Sequence, residues 1–199
     1  MSAWLKQLAD DLADLADQAR RSLVTVVGDG VGVGAGVLWA PGWVVTNAHV
    51  ARSPRNHVRR PAGRQIEVRR RVQDRRLDLA ALAIDGEAGT PARLGDSSAL
   101  RPGEWVLAVG NPLGVNGGLT AGVVIDPAAG RNGGLLVLDL HLRPGHSGGA
   151  VLHTLGEVVG INTMMNGPDV GVAISSATVR RFLVQAGLGK ATSPIRRAA

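Results

Sequence analysis

The sequence predicts an all-β domain with one helix at each end, and three observations lead to this class. Short apolar runs rich in Val, Leu, Ile and Ala recur along the 199 residues, and most are separated by Gly, Pro, Asn or Asp. No helical pattern alternates with these runs, as it would in a parallel α/β sheet. The 28 glycines supply residues for the turns between short strands. An antiparallel sandwich or barrel is therefore expected.

The first predicted element is an amphipathic helix. Trp4, Leu8, Leu12 and Leu15 recur at steps of three or four residues with aspartates between them, so residues 2–21 are predicted to be helical with one apolar face. That face needs a cover, which is either the β-domain of the same chain or a second copy of the chain.

The strands begin after this helix. Pro41-Gly42 lies between two apolar runs and is a turn signal, because proline presets one turn position and glycine tolerates the next. The predicted strands are 23–27, 33–39, 43–46, 65–72, 79–84, 105–109, 119–124, 135–140, 150–153, 157–164 and 170–174.

A second, short helix is predicted after the last strand. Ser175 or Ser176 can cap its N-terminus, and Gly187 ends it. Residues 22–187 are therefore interpreted as one domain, followed by a flexible tail over 188–199.

Composition limits the class of protein further. A chain of 199 residues, 45% of them hydrophobic, can bury its own core as one domain. It contains no cysteine, so no disulfide framework is available. Residues 1–21 have no continuous apolar stretch, which argues against a signal peptide, and no segment is apolar enough to span a membrane. The cytoplasm is therefore the predicted location, with no membrane as partner.

Positive charge is concentrated in one stretch. The net charge is +6, and ten arginines lie between residues 52 and 76 against only Glu67 and Asp74. The solvated face of a β-hairpin is the simplest explanation. Polyanion binding is the alternative, but the stretch lacks aromatic residues that could stack on bases, so nucleic acid is not the expected partner.

A glycine-rich run carries the main functional signal. Ser147 lies in Gly145-His146-Ser147-Gly148-Gly149, which leaves its hydroxyl open to close approach. His49 follows one predicted strand, and Asp78 precedes another. A serine becomes a good nucleophile when an imidazole takes its proton and a carboxylate orients that imidazole. Histidine, aspartate and serine in this chain order are therefore predicted to form a catalytic triad.

The same run is expected to hold the oxyanion of a tetrahedral intermediate. Its glycines allow the backbone N–H groups of Gly145 and Ser147 to converge on one point. Gly145, His146 and Ser147 are therefore predicted to form an oxyanion hole.

With these residues in place, the chain resembles the HtrA (Deg) family of trypsin-fold serine proteases. The resemblance covers residues 22–186 and seven segments in the same order. They are Thr46-Asn47-Ala48-His49-Val50, Asp78-Leu79-Ala80, Leu94-Gly95-Asp96-Ser97, Gly110-Asn111-Pro112-Leu113-Gly114, Pro144-Gly145 with Ser147-Gly148-Gly149, Gly160-Ile161-Asn162-Thr163 and Gly171-Val172-Ala173-Ile174. The resemblance implies two perpendicular six-stranded β-barrels with the active site in the cleft between them. His49 and Asp78 would come from the first barrel and Ser147 from the second.

The resemblance also implies how a polypeptide substrate binds. Three segments match those that form the primary specificity pocket: His141, Leu142 and Arg143; Ile161, Asn162, Thr163 and Met164; Gly171 and Val172. These segments contain no acidic residue, so the pocket is expected to be apolar and to favour cleavage after small or medium aliphatic residues. The backbone of residues 161–163 is expected to pair with the substrate as an added β-strand.

Two histidines depart from the family pattern. His146 stands where asparagine is usual in the family and where digestive trypsins have aspartate, so no zymogen cleavage is expected. It either packs within its loop or senses pH. His141 either forms a hydrogen bond inside the second barrel or makes the pocket pH-dependent. No two of the five histidines have a spacing typical of a metal site, so neither a metal nor another cofactor is predicted.

The resemblance bears on assembly as well. Family members commonly carry PDZ domains after the protease, and none is expected here. Many assemble as trimers through N-terminal segments, so a homotrimer formed through the helix at 2–21 is one explanation of its apolar face, and packing on its own barrel is the other.

The leading hypothesis is therefore a serine endopeptidase that hydrolyses unfolded or flexible polypeptides through an acyl-enzyme intermediate, in HtrA-like protein quality control. The alternative is a peptide-binding or regulatory module with an inactive oxyanion loop. A polyanion-binding protein is a third hypothesis, and it rests on charge alone.

Overall fold

Two closed six-stranded β-barrels form most of the computed structural model, which describes residues 3–28, 31–60, 63, 65–86 and 88–189. The strands of the first barrel are β1 (Leu23–Gly28), β2 (Val31–Ala40), β3 (Trp43–Thr46), β4 (Asn56–Arg59), β5 (Gln65–Asp74) and β6 (Leu79–Ile84). They close in the order β1-β2-β3-β6-β5-β4, with every pair antiparallel.

The second barrel repeats this arrangement. Its strands are β7 (Trp105–Gly110), β8 (Gly118–Ala129), β9 (Leu135–Asp139), β10 (Ala150–His153), β11 (Val158–Met165) and β12 (Val170–Ser175). They close in the order β10-β11-β12-β9-β8-β7, again antiparallel throughout. The predicted all-β class with two six-stranded barrels is confirmed.

Two strands differ from the sequence prediction. Strand β4 was not predicted, because only Val58 among its four residues is apolar, and pairing with β1 and β5 supplies the missing stabilisation. Strand β8 continues to Ala129 instead of ending near residue 124, with two register shifts that accommodate the segment around Pro127.

Helix α1 (Ala3–Ser22) attaches to the β-structure through its C-terminal half. Ala16 and Ala19 are buried there, whereas Trp4 remains 65% exposed near the other end. Helix α2 (Ser176–Gln185) is capped at its N-terminus by Ser175, whose hydroxyl accepts a hydrogen bond from the Thr178 N–H. Neither helix in the described part of the chain has the length and apolar character needed to cross a bilayer.

The predicted C-terminal tail is described only at its start. Leu188 donates a backbone hydrogen bond to the Leu183 carbonyl over 2.8 Å and packs against the core. Residues 190–199 of the predicted tail lie outside the described residues.

The largest apolar cluster joins the two barrels. Val37 and Trp39 from the first barrel pack with Leu107 and Ile161 from the second and with Ala19 of α1. Because this contact is apolar, the barrels are held against each other by burial, and the loops along their junction have fixed relative positions.

Candidate active site

His49 and Asp78 form a close pair on the first barrel. The His49 Nδ1 lies 2.7 Å from Asp78 Oδ2, and the His49 backbone N–H donates to Asp78 Oδ1 over 2.9 Å. The two side chains are 34% and 25% exposed, so one edge of the imidazole remains open to a ligand. Two hydrogen bonds from one residue to both carboxylate oxygens fix the imidazole relative to the acid.

The loop that carries His49 is anchored on the backbone of Asp78. The Asp78 carbonyl accepts hydrogen bonds from Ala48 N–H at 3.1 Å and from Asn47 Nδ2 at 3.2 Å. Asp78 has a φ of +53°, a left-handed conformation that aspartate tolerates better than most residues. The main chain and the side chain of Asp78 thus both hold the histidine loop.

Thr163 connects the two barrels at this site. Its Oγ1 donates to Asp78 Oδ2 over 2.7 Å, and its carbonyl oxygen accepts the Ser147 hydroxyl over 3.1 Å. Thr163 lies at a register shift between β11 and β12, which turns its side chain towards the first barrel. The sequence predicted Thr163 only as a substrate-contacting residue, and its contact with Asp78 depends on the docking of the barrels.

Three donors determine the ionisation of Asp78. Partial burial opposes ionisation, but hydrogen bonds from the His49 side chain, the Thr163 hydroxyl and the His49 N–H outweigh it, so the pKa of Asp78 is lowered from its ordinary value. The carboxylate is therefore charged at neutral pH and can accept from the imidazole.

Ser147 lies on the second barrel and is joined to the acid through Thr163. The Ser147 hydroxyl donates to the Thr163 carbonyl over 3.1 Å, and among the described residues it forms no hydrogen bond with His49. The hydroxyl must therefore turn away from the Thr163 carbonyl before His49 can take its proton. The sequence-predicted triad members are brought to one cleft, with the hydroxyl in a resting orientation.

The loop before Ser147 contains a tight turn set by its sequence. The His146 N–H donates to the Arg143 carbonyl over 2.9 Å, and Gly145 has a φ of +102°. Proline at the second position and glycine with positive φ at the third position are typical of a type II turn, as in Arg143-Pro144-Gly145-His146.

The carbonyl groups of this turn are all engaged. Asn111 N–H donates to the Gly145 carbonyl at 2.9 Å, and Leu113 N–H donates to the Pro144 carbonyl at 3.0 Å. Within the described ranges, neither the Gly145 N–H nor the Ser147 N–H donates to a protein acceptor. Two adjacent donors are therefore left available to an external anion, as an oxyanion hole requires.

His146 is a buried part of this loop. It is 1% exposed, and its Nδ1 accepts from the Arg143 N–H at 2.9 Å. Its Nε2 is buried with no partner among the described residues. Burial, with smaller contributions from the charges of Arg143 and His141, lowers the pKa of His146 despite the opposing hydrogen bond to the Arg143 backbone. The imidazole is therefore neutral in the folded protein at neutral pH.

The predicted specificity pocket is largely filled by the protein. Leu142 is 7% exposed and belongs to the apolar cluster of the second barrel, and Val172 is 6% exposed. Leu142 also lies close to Gly171, where an added Cβ would be 3.3 Å from its Cγ. The two apolar walls of the predicted pocket are therefore closely packed, whereas Met164 is exposed at the cleft.

Other predicted pocket residues lie elsewhere. His141 is half exposed, with its Nδ1 2.6 Å from Asp169 Oδ1, so it does not bond inside the second barrel. The Arg143 side chain is exposed to solvent. Ile161 and Asn162 are fully buried, and the Asn162 backbone is bonded to Gly148 and Gly149.

The unpaired edge of β11, where a substrate could pair, therefore begins further along the chain than the predicted segment 161–163. Strand β10 pairs with β11 no further than Ile161, and β11 continues to Met165. The open edge next to Ser147 consequently starts at Thr163 instead of at Ile161.

One residue of the arginine-rich stretch supports the histidine loop. The Arg71 guanidinium donates to the Ala51 carbonyl, to the Ser53 carbonyl at 2.7 Å and to Asn56 Oδ1 at 3.2 Å. It therefore fixes the segment that follows His49. No signal in the sequence distinguishes Arg71 from the neighbouring arginines.

Comparison with known proteins defines the class. The family model described as a trypsin-like peptidase domain matches residues 34–161, which is more than half of the chain, so the chain belongs to the trypsin-like peptidase family. Within this class it is an HtrA-like protease domain, as the sequence resemblance predicted.

Several relatives support this assignment. The probable periplasmic serine endoprotease DegP-like of Ectopseudomonas mendocina is 38% identical over 136 residues, covering 65% of this chain and 28% of the relative. The periplasmic serine endoprotease DegP of Salmonella typhimurium is 35% identical over 169 residues, covering 77% of this chain and 35% of the relative. The chain thus spans about a third of the length of these relatives. Their names agree with the predicted class of serine-type endopeptidase.

Solved structures agree with the fold. The HtrA-type protease AlgW with a tripeptide superposes with a TM-score of 0.78 at 27% identity, covering 89% of this chain and 64% of the other. AlgW with a decapeptide gives the same TM-score at 24% identity, covering 89% and 68%, and supports the fold alone.

The predicted cytoplasmic location is wrong. Both relatives described above are named as periplasmic or probable periplasmic proteases, which points to a periplasmic or secreted protein. The prediction rested partly on the absence of cysteine, but a protein without cysteine has no need of a reducing compartment.

Proposed function

We propose that this chain is a serine endopeptidase domain that hydrolyses unfolded or flexible polypeptides through an acyl-enzyme intermediate. The observation that carries the proposal is the shared Thr163, which binds the acid of one barrel and the hydroxyl of the other. An orienting carboxylate, an imidazole with one open edge and a serine beside two unpaired N–H donors are the parts that acyl transfer needs.

The chemistry follows from these positions. The Ser147 hydroxyl rotates from the Thr163 carbonyl to His49, which takes the proton as Oγ bonds to the substrate carbonyl carbon. The N–H groups of Gly145 and Ser147 stabilise the negative charge that develops on the carbonyl oxygen. His49 then gives the proton to the leaving amine, and Asp78 stabilises the imidazolium meanwhile. Water, activated by the same imidazole, releases the acyl group and restores the hydroxyl.

The substrate is expected to bind as an added β-strand. The edge of β11 is open from Thr163 to Met165, and antiparallel pairing there would place an extended chain across Ser147. The side chain of the cleaved residue is then expected to lie against the apolar Leu142 and Val172, which suits small or medium aliphatic residues.

A serine-reactive fluorophosphonate tests the proposal directly. Mass spectrometry of the labelled protein should give one adduct on Ser147, and His49→Ala should lose it while keeping the circular dichroism spectrum of the folded chain. A permanently unfolded, carboxymethylated protein should be degraded by wild type and not by Ser147→Ala. Labelling of another residue, or equal labelling of His49→Ala, would contradict the proposed roles.

A peptide-binding module is the second candidate function. It is favoured by the orientation of the Ser147 hydroxyl, which donates to Thr163 and not to the base. If the folded wild type takes no label and cleaves no unfolded protein, yet binds extended peptides, this second function replaces the first.

The proposed location and biological role of this chain are based on the names of its relatives. The names of the DegP relatives support action in the periplasm or outside the cell, and removal of unfolded proteins there is the corresponding role. A pulse of misfolded secreted protein should persist longer in a strain that lacks this chain. Equal persistence would argue against a role in protein quality control.

A homotrimer through α1 is also proposed. Trp4, Leu5 and Leu8 are exposed at the end of the helix distant from the barrels, so the helix uses one half for its own β-domain and leaves the other half open. Light scattering should give a threefold larger mass for the full chain than for a variant lacking residues 1–20. A monomeric full chain would remove this proposal.

A further inference from the structure

An open cavity of about 690 Å³ lies beside the catalytic pair. Its lining residues are Ala48, His49, Arg52, Arg75, Asp78, Thr163 and Met164. The histidine, the acid and the threonine are accounted for by the proposed catalysis. The two arginines have no part in it, and they come from opposite ends of the arginine-rich stretch to line the same cavity.

The charges of this cavity are not balanced. Both arginines are exposed, and neither side chain has a hydrogen bond or ion pair with any residue the structure describes. Elsewhere in the same stretch, Arg69 pairs with Asp85 and Arg71 binds carbonyl groups. Asp78 is the one carboxylate among the lining residues, and its oxygens already accept from His49 and Thr163.

Strand geometry determines which substrate side chain reaches the cavity. Successive side chains of an extended chain point to opposite faces. If the side chain of the cleaved residue points to Leu142 on the second barrel, the side chain of the residue before it points to the first barrel. That face carries His49, Arg52 and Arg75, the wall of the cavity.

We propose that this cavity selects substrates with Asp or Glu immediately before the cleaved residue, with Arg52 and Arg75 as the specificity determinants. The inference rests on the proposed peptide hydrolysis and names the class of polypeptide that it acts on. A guanidinium binds a carboxylate through two parallel charge-assisted hydrogen bonds, whereas the amide of Gln or Asn offers one oxygen and no charge. Two arginines around one recess discriminate on that basis.

Binding without turnover is the first part of the test. Two fluorescent peptides that differ only by Glu or Gln before a Val cleavage residue are titrated against the Ser147→Ala variant, and affinity is measured by anisotropy. The Glu peptide should bind about 2- to 30-fold more tightly at low salt, because each of the two exposed charge pairs contributes about 1.4- to 5-fold. Equal affinities would overturn the proposal.

Substitutions assign the preference to the two arginines. In the Ser147→Ala background, Arg52→Gln with Arg75→Gln should reduce the Glu-to-Gln ratio to about one. Arg76→Gln is the matched control, because Arg76 neighbours Arg75, is exposed and does not line the cavity. An equal loss in Arg76→Gln would assign the effect to overall charge and reject the subsite. Arg75→Glu should shift the preference towards Lys.

Turnover by wild type separates the two proposals. Cleavage of both peptides with equal kcat/KM would support the proposed hydrolysis and reject the proposed preference for an acidic residue. Cleavage of neither peptide, together with a retained Glu preference in the binding assay, supports the subsite and rejects the hydrolysis.

Discussion

Thr163 donates its hydroxyl to Oδ2 of Asp78 over 2.7 Å, although the two residues belong to different barrels. The same oxygen of Asp78 lies 2.7 Å from His49 Nδ1, so the threonine and the imidazole share one acceptor. The carbonyl of Thr163 meanwhile accepts the Ser147 hydroxyl. One residue therefore positions both the acid and the nucleophile of the proposed triad.

Removal of the Thr163 hydroxyl should slow peptide cleavage. Thr163→Val keeps the side-chain shape but removes a hydrogen bond to a charged group, worth about 1.5–3 kcal/mol, so kcat should fall about 10-fold or more. Because Asp78 loses one of the donors that favour its ionised form, its pKa should also rise, and the low-pH end of the pH–rate profile, where this carboxylate becomes protonated, should move to higher pH. Thr163→Ser keeps the donor and should restore most of the rate and the profile. An unchanged kcat in Thr163→Val would contradict this role.

Gly148 should be intolerant of a side chain. Its φ is +82°, and an added Cβ would overlap the Ala35 carbonyl and the Thr46 hydroxyl of the first barrel. Gly148→Ala should therefore cost about 3 kcal/mol or more in the free energy of unfolding, measured by urea denaturation. Gly103→Ala is the control, because Gly103 has a φ of +86° with no atom within 4 Å of the added Cβ, and it should cost about 1 kcal/mol. Equal losses would mean that backbone strain alone is responsible.

His146 should make stability depend on pH. Its pKa is lowered in the folded protein from an ordinary value of 6.5, so below that pH the unfolded chain binds a proton that the folded chain excludes. The free energy of unfolding of wild type should therefore decrease as the pH falls below 6.5, by at most about 1.4 kcal/mol per pH unit. Above pH 6.5, His146 should cause no further change in stability with pH.

The matched variant for this measurement is His146→Asn. Asparagine offers an oxygen to the Arg143 N–H without titrating. Urea midpoints from pH 5 to 8 should therefore show a difference between the two proteins that grows only on the acid side. A constant difference would exclude His146 as its origin.

Leu142 should limit the size of the cleaved residue. Because Leu142 is a buried wall of the predicted pocket, Leu142→Ala should open that pocket and raise kcat/KM for cleavage after Phe relative to Val. The substitution also costs about 2–5 kcal/mol in stability. Leu136→Ala removes a buried leucine of the same cluster outside the predicted pocket, and it should lose similar stability without changing the preference. The same shift in both variants would refute the assignment.

Local sequence patterns were sufficient to predict most of the strands and the three proposed catalytic residues. Strand periods are read within a few residues, and the serine, histidine and aspartate each lie in a short motif with its own turn residues. Contacts between the barrels are absent from such patterns. The link from Thr163 to Asp78 joins positions 85 residues apart, and only the docked barrels bring them together.

The arginine-rich stretch illustrates a second limit. The alternation of side chains along β5 is broken by a register shift between Val68 and Arg70. Because a one-residue slip reverses which face each side chain points to, the sequence cannot distinguish the supporting Arg71 from the exposed Arg70. The inward role of Arg71 therefore emerges only from the structure.

Ala35 of the first barrel lies opposite Gly148 of the second, across the junction of the two barrels. Ala35 donates to the carbonyl of Ser147 over 2.8 Å, so the nucleophile is bonded by the barrel that does not carry it. Neither half of the molecule is consequently a functional unit. At a denaturant concentration that separates the two barrels before either barrel unfolds, labelling of Ser147 should be lost while the β-sheet circular dichroism persists. Loss of activity is then the earliest sign of unfolding.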